Sequence, residues 1–326
     1  MWTALVPAGL LHATAALALV APAPQQPRLL NPPLPVEHLG DVQNAVIAPG
    51  GARVVYVEGA SGDLFSVPID GSAAPVRLNS RTLGGDVAPL FRFDPQGTRV
   101  VFRAKRVFSR HASSQVERAL DLFSAPIDGS AGAALLNFPD GEGALNDFQV
   151  TPSGTHVLYR RTGFPGPAVL YSVPITGGSG TPLRPRLNDE GVSGFRILPN
   201  SSEVVFREDR TRGSPQLFVI PISGNTDPVL LSGPAASAGP VEPDFELIPD
   251  GRFVVYRADV GHDGTLDLVA TPTTAPFTPS QLSAGTVPGG DVNSFIVNPD
   301  NVRVIYAGEQ EHAGIRELYC ARLDGA

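Results

Sequence analysis

Four arginines stand at matched places along the chain. Arg103, Arg160, Arg207 and Arg257 each follow the aromatic that closes a short apolar run, in RVVF-R, HVLY-R, EVVF-R and FVVY-R. A guanidinium pairs with carboxylate or phosphate in bidentate fashion, so a ring of four suits an anionic ligand. The alternative is structural: Asp86, Asp147, Asp244 and Asp291 recur with the same repeat, near the start of its first strand, and each suits an arginine at a boundary between repeats. The net charge of −8 favours that pairing. A second basic group lies in the insertion 104–119, AKRVFSRHASSQVERA, which holds Lys105, Arg106, Arg110, His111 and Arg118 against one acid, Glu117. Long loops on rigid scaffolds often contact partners, which makes this the candidate binding loop. Its plainer reading is a solvated excursion.

Catalytic chemistry finds little support. No Gly-x-Ser-x-Gly elbow occurs, and the six histidines are dispersed with no His-x-x-x-His pair. Asp259 and Asp263, in DVGHDG, share two carboxylates and a glycine with calcium loops. They lack the middle carboxylate and the closing glutamate, so they are a weak metal candidate. The one cysteine, Cys320, excludes an intrachain disulfide and reads as a small residue packed in a strand. No catalytic residue, cofactor or metal is expected.

These residues are positioned by a repeat. One proline turn recurs at Pro49, Pro95, Pro152, Pro199, Pro249 and Pro299, at separations of 46, 57, 47, 50 and 50 residues. Self-similarity at this period marks propellers and solenoids. Each unit carries four strand-like segments. The first has a phenylalanine four residues before the proline in five units: Phe91, Phe148, Phe195, Phe245 and Phe295, with Ala45 of the first unit the exception. The second is a β-branched run such as RVVY (53–56), which suits a strand buried on both faces. The third resembles DLFSVPIDG (63–71), with a proline suited to a strand near an edge. The fourth is short: VRLN (76–79), ALLN (134–137), PRLN (185–188), VLLS (229–232) and SQLS (280–283).

The last unit stops after its third strand, and a matching fourth segment, PRLLN (27–31), stands near the start. Pairing the two closes the ring and removes open strand edges. The expected fold is therefore all-β: a six-bladed β-propeller of four-stranded antiparallel blades, closed by the N-terminal strand. The blades fall near 41–80, 86–138, 144–188, 192–233, 241–284 and 291–326 plus 27–31. Residues 24–326 form one domain. Residues 1–23 resemble a secretory signal peptide, with an apolar stretch too short to span a bilayer and an Ala-x-Ala pattern at Ala21 and Ala23. This implies a periplasmic or extracellular location in a bacterium.

The run PDGRFVVYRAD (249–259), with DLFSVPIDG (63–71), RLN (77–79) and the GGDV runs at 84–87 and 289–292, resembles the propeller repeats of TolB-like bacterial proteins. The resemblance spans about residues 27–326 and leaves out the α/β domain that precedes the TolB propeller. It implies a six-bladed propeller and is silent about activity. The expected function is an exported, monomeric, non-catalytic scaffold binding a protein, peptide or envelope component. The acidic pI of about 5.2 argues against nucleic acid. The alternative is a propeller enzyme, lactonase-like or sugar-dehydrogenase-like, with its site at the channel mouth. The inner strands offer Arg92, Gln149, Arg196 and Glu246 there, a mixed set without a ligand cluster.

Overall fold

The computed structural model describes residues 28–31, 41–59, 61–79, 83–109, 116–137, 144–162, 166–183, 190–210, 214–233, 239–261, 264–284 and 287–323. Among them there is no helix, and the strands form six antiparallel sheets. The first sheet runs β1 (Val42–Ile47), β2 (Arg53–Glu58), β3 (Asp63–Pro68) and β4 (Val76–Arg77). The second runs β5 (Leu83–Phe93), β6 (Arg99–Ser109), β7 (Val116–Pro126) and β8 (Ala134–Leu135). The third runs β9 (Ala144–Val150), β10 (His156–Thr162), β11 (Ala168–Pro174) and β12 (Thr181–Pro182). The fourth runs β13 (Glu190–Ile197), β14 (Glu203–Arg210), β15 (Gln216–Pro221) and β16 (Val229–Leu230). The fifth runs β17 (Val241–Leu247), β18 (Phe253–Ala258), β19 (Asp267–Pro272) and β20 (Ser280–Gln281). The sixth has three strands: β21 (Val292–Val297), β22 (Arg303–Gly308) and β23 (Glu317–Arg322).

Each sheet is a meander, and the core of each of the first five is shared with the next sheet. Val205, Leu217 and Val219 of the fourth sheet pack with Val241, Phe245, Val254 and Tyr256 of the fifth. Equivalent clusters join the first sheet to the second, the second to the third, the third to the fourth and the fifth to the sixth. The recurrent phenylalanine of the inner strand therefore packs between neighbouring sheets, as its position in the repeat requires. Across the middle pair of strands an aromatic stacks on an aromatic in five of the sheets, while in the fifth sheet Tyr256 faces Val269. Tyr56 stacks on Phe65, Phe102 on Phe123, Tyr159 on Tyr171, Phe206 on Phe218 and Tyr306 on Tyr319, with centroids 5.1 to 5.9 Å apart. Such pairs contribute about 0.5–1.5 kcal/mol each beyond their burial.

The proline turns interlock in the same order. Their third residue takes a positive φ: Gly51, Gly97, Gly154, Ser201, Gly251 and Asn301 lie between 60° and 77°. Glycine is needed where the preceding turn is closest, since a Cβ on Gly97 would lie 2.1 Å from the Pro49 carbonyl oxygen. Ser201 and Asn301 instead use their side chains, accepting hydrogen bonds from the Ser153 and Asp250 N–H groups at 2.8 Å. At Gly51, the first turn of the series, the same position faces open space.

Two expectations are corrected, and a third, a pairing, is not seen among the described residues. The fourth strand of the third sheet is Thr181–Pro182, not PRLN at 185–188, a segment that lies outside the described residues. The return from the third strand has a near-constant length: the Leu183 N–H donates to the Leu170 carbonyl at 2.9 Å, as Leu136 does to Leu122 at 2.8 Å. Residues 28–31 form no strand, so β23 has no fourth partner among the described residues. Cys320 is consequently exposed rather than packed. All six residues of β1 are exposed as well.

Candidate functional site

Each of the four arginines is the fifth residue of the second strand, in sheets two to five, and each reaches into the following sheet. The Arg103 Nη1 donates to the Leu145 carbonyl at 3.0 Å, and the Arg160 Nη1 to the Val192 carbonyl at 3.0 Å. The Arg207 Nε donates to the Val241 carbonyl and the Arg257 Nη1 to the Val292 carbonyl, both at 2.9 Å. These four acceptors open the next inner strand at equivalent places. Val241 and Val292 are held from both ends, because their N–H groups donate to the Pro215 and Leu266 carbonyls at 2.9 and 2.8 Å. Val87 makes the same link to Gly62 at 2.8 Å.

The acids complete these groups from within the same sheet. Asp147 accepts from the Arg160 Nε at 2.9 Å, and Asp244 takes Arg257 in bidentate fashion, Nε and Nη2 both at 2.9 Å. In the fourth sheet Gly194 occupies the aspartate's place opposite Arg207. Arg207 pairs there with Asp209, two residues along its own strand, and donates to the Ser193 Oγ at 2.7 Å. Asp291 serves elsewhere, accepting from the Leu266 N–H at 2.8 Å. The Asp86 side chain lies outside the described residues.

This geometry turns the charges in opposite directions. The guanidinium side chains of Arg160, Arg207 and Arg257 are 19, 10 and 14% exposed, whereas their partners Asp147, Asp209 and Asp244 are 41, 51 and 45% exposed. At these three sites the guanidinium is turned to protein oxygen and the carboxylate to solvent, whereas the Arg103 Nε is buried with no hydrogen-bond partner among the described residues. The carbonyl partners were not anticipated from the sequence. Their signal was there: an aliphatic residue three positions before the phenylalanine at Leu145, Val192 and Val292, and four before it at Val241.

The insertion extends the second sheet at the same end. β6 and β7 pair without a break from Arg99 opposite Pro126 to Ser109 opposite Val116, which makes them eleven residues long where the other second strands have six to eight. Arg106 faces Ala119 and Arg118 faces Val107 in this ladder, and Lys105 faces Leu120. Arg110 and His111 lie outside the described residues.

Along the inner strands Arg196 pairs with Glu246 of the next sheet at 2.7 Å and covers the Phe245 ring at 5.2 Å. The hydrogen bond to Glu246 raises the Arg196 pKa. The Gln149 Nε2 reaches the Phe195 carbonyl at 3.1 Å, and the Arg92 Nη1 contacts its neighbour's carbonyl, Phe91, at 3.3 Å. Asp259 closes its own loop by accepting from the Gly264 N–H at 3.2 Å, and Asp263 lies outside the described residues. Among the described residues no group of three His, Cys, Asp or Glu side chains is placed to hold a metal ion. No helix among them is long and apolar enough to cross a membrane.

No protein-family model and no curated protein matches the sequence. Solved structures do. Dipeptidyl peptidase 4 of Porphyromonas gingivalis superposes with a TM-score of 0.60 at 12% identity, over 83% of this chain and 42% of that one. Prolyl oligopeptidase B from Galerina marginata gives 0.51 at 8% identity, over 89% and 42%. A putative TolB from Agrobacterium tumefaciens gives 0.43 at 14% identity, over 73% and 79%. The chain spans about two fifths of the length of these two peptidases. At such identities the likeness to the two peptidases is one of fold, and together with the six meandering sheets it supports a β-propeller.

Proposed function

We propose that the chain is an exported, non-catalytic β-propeller scaffold that binds a protein, peptide or envelope component on the face bearing the β6–β7 hairpin. The observation that carries this reading is the hairpin itself. It projects from the rim of the sheets on an unbroken ladder, and its sequence concentrates Lys105, Arg106, Arg110, His111 and Arg118. Strand pairing gives a rigid arm, which presents contact residues at lower entropic cost than a free loop does. The four arginines beside it act as stitches between blades and leave ligand contact to the arm.

In the same reading six blades close into a ring and residues 27–31 complete the last one. The support is a repeated contact. In the second, third and fourth sheets the turn glycine after the third strand sits on the fourth strand of the sheet before it: Gly129 on Val76, Gly177 on Ala134 and Gly224 on Thr181. Gly71 of the first blade sits on Arg28.

The test of the scaffold is a capture experiment from a bacterial envelope fraction with the full chain and with a variant carrying Arg106→Ser, Arg110→Ser and Arg118→Ser. The expected result is a component retained by the full chain and lost by a variant of unchanged thermal midpoint. Equal retention by both overturns the hairpin as the binding face.

A further inference from the structure

The sixth sheet departs from the repeat where the other sheets meet both a fourth strand and the sheet that follows. Leu318 is 77% exposed, while Leu64, Leu122, Leu170, Leu217 and Leu268 at the same position are 0% exposed. Cys320 is exposed where Ser66, Ser124, Ser172, Val219 and Ala270 are buried. In those five sheets the leucine carbonyl accepts a hydrogen bond from the fourth-strand side, from the N–H of Leu78, Leu136, Leu183, Leu231 or Leu282, at 2.7 to 2.9 Å. In four of them the next residue's side chain accepts from the leucine's own N–H: Asn79 at 2.9 Å, Asn137 at 2.7 Å, and Ser232 and Ser283 at 3.2 Å. The two asparagines also turn their Nδ2 back onto Asp63 and Asp121, at 2.8 and 2.6 Å. The sixth sheet has the acid, Glu317, and the leucine, Leu318, and a groove of about 710 Å³ lies along β23 between Gln281–Ala284 and Tyr319–Arg322.

Resting on the closed ring proposed above, the geometry points to a strand-acceptor site on the edge of β23 whose ligand is the extended segment Arg28-Leu29-Leu30-Asn31 of the same chain, in one register. That register follows from the Cα partners Ser66 with Val76, Ser124 with Ala134, Val219 with Val229 and Ala270 with Ser280. It sets Arg28 opposite Cys320 and Leu29 opposite Tyr319. The Leu30 N–H donates to the Leu318 carbonyl. The Asn31 Oδ1 accepts from the Leu318 N–H, and its Nδ2 donates to Glu317. Arg28 keeps its place beside the first blade, where its Nη1 donates to the Asp70 carbonyl at 3.1 Å. One strand then touches both sides of the seam that Ala307, standing where four of the other blades carry the stitching arginine, leaves without one. The nine residues 32–40 reach roughly 30 Å when extended, against ~14 Å between the first and fourth strands of a sheet. The tether is long enough.

The chain's single native cysteine makes the register measurable. Directly opposed residues of an antiparallel pair have Cα atoms ~4.5–5.5 Å apart, inside the ~4.4–6.8 Å range of a disulfide. A shift of one residue turns the side chain to the other face. Arg28→Cys, Leu29→Cys and Leu30→Cys are each introduced into the full chain and mildly oxidised. The expected result is loss of both free thiols at monomer mass for Arg28→Cys and not for the other two. In the reduced wild type, Asn31→Ala is expected to speed modification of Cys320 and Asn31→Ser to restore protection. Cross-linking of Leu29→Cys or Leu30→Cys instead overturns the register and leaves the ring standing. A disulfide found only at dimer mass assigns the segment to a second copy and overturns the intrachain site. No cross-link in any variant overturns the acceptor site, and the ring is judged separately by deleting residues 24–32: an unchanged melting curve there removes the ring as well.

Discussion

Two kinds of arginine recur in this molecule, on the first and on the second strands of the sheets, and they differ in what their loss would leave behind. Arg257 lies inward, bidentate to Asp244 and donating to the Val292 carbonyl of the next sheet. Removing it strands a carbonyl at a packed junction. Arg257→Ala is expected to cost about 1–3 kcal/mol, the range for a buried group left without its donor. Arg196 pairs with Glu246 across the inner strands, but both side chains are well exposed. Water replaces such a partner readily, so Arg196→Ala is expected to cost less than about 1 kcal/mol. Equilibrium denaturation of the two variants checks the order, and a larger loss at Arg196 would contradict the stitching role assigned to Arg257.

At the level of elements, the proline turn shows how a short motif transmits order from one sheet to the next. Gly97 combines a φ of +66° with a Pro49 carbonyl oxygen 2.1 Å from where a Cβ would stand. Gly51 has a similar φ of +71° with nothing in reach. Gly97→Ala therefore carries both backbone strain, about 1–3 kcal/mol, and displacement of the neighbouring turn. Gly51→Ala carries the strain alone if its face stays open. Gly97→Ala is expected to be the more destabilising of the two by thermal melting, and the reverse order would remove turn interlocking as a source of stability. The hairpin of β6 and β7 follows a different rule. It lengthens one sheet without altering the register of its base, since Phe102 still faces Phe123 as Phe206 faces Phe218.

For the whole molecule, the decisive quantity is the burial of the seam between the sixth sheet and the first. Leu318 and Ile296 are exposed along the sixth sheet, as are Val42, Val46 and Ile47 along the first. In the proposed ring Leu318 becomes the equivalent of Leu217, and deletion of its side chain leaves a comparable cavity. Leu217→Ala and Leu318→Ala are then expected to cost the same, about 2–5 kcal/mol each. A neutral Leu318→Ala beside a costly Leu217→Ala would mean that the seam stays open in solution.

The sequence by itself determined the period, the strand order within each unit and the identity of the core. Apolar alternation and a turn-forming proline are local signals, written in residues adjacent in the chain, and they remain legible without coordinates. It also placed Phe91, Phe148, Phe195 and Phe245 at the junctions, because a bulky residue on the innermost strand has only the neighbouring sheet to pack against. What the tertiary structure decided was direction and partner. A repeated arginine reads the same whether it faces a ligand or a carbonyl some thirty to forty residues away, and only the packing of one sheet on the next turned it inward and left the aspartates at the rim. The third sheet's short fourth strand was misread for a similar reason. PRLN matches the motif, but main-chain pairing selects the residue that reaches the Leu170 carbonyl, and Leu183 arrives there first.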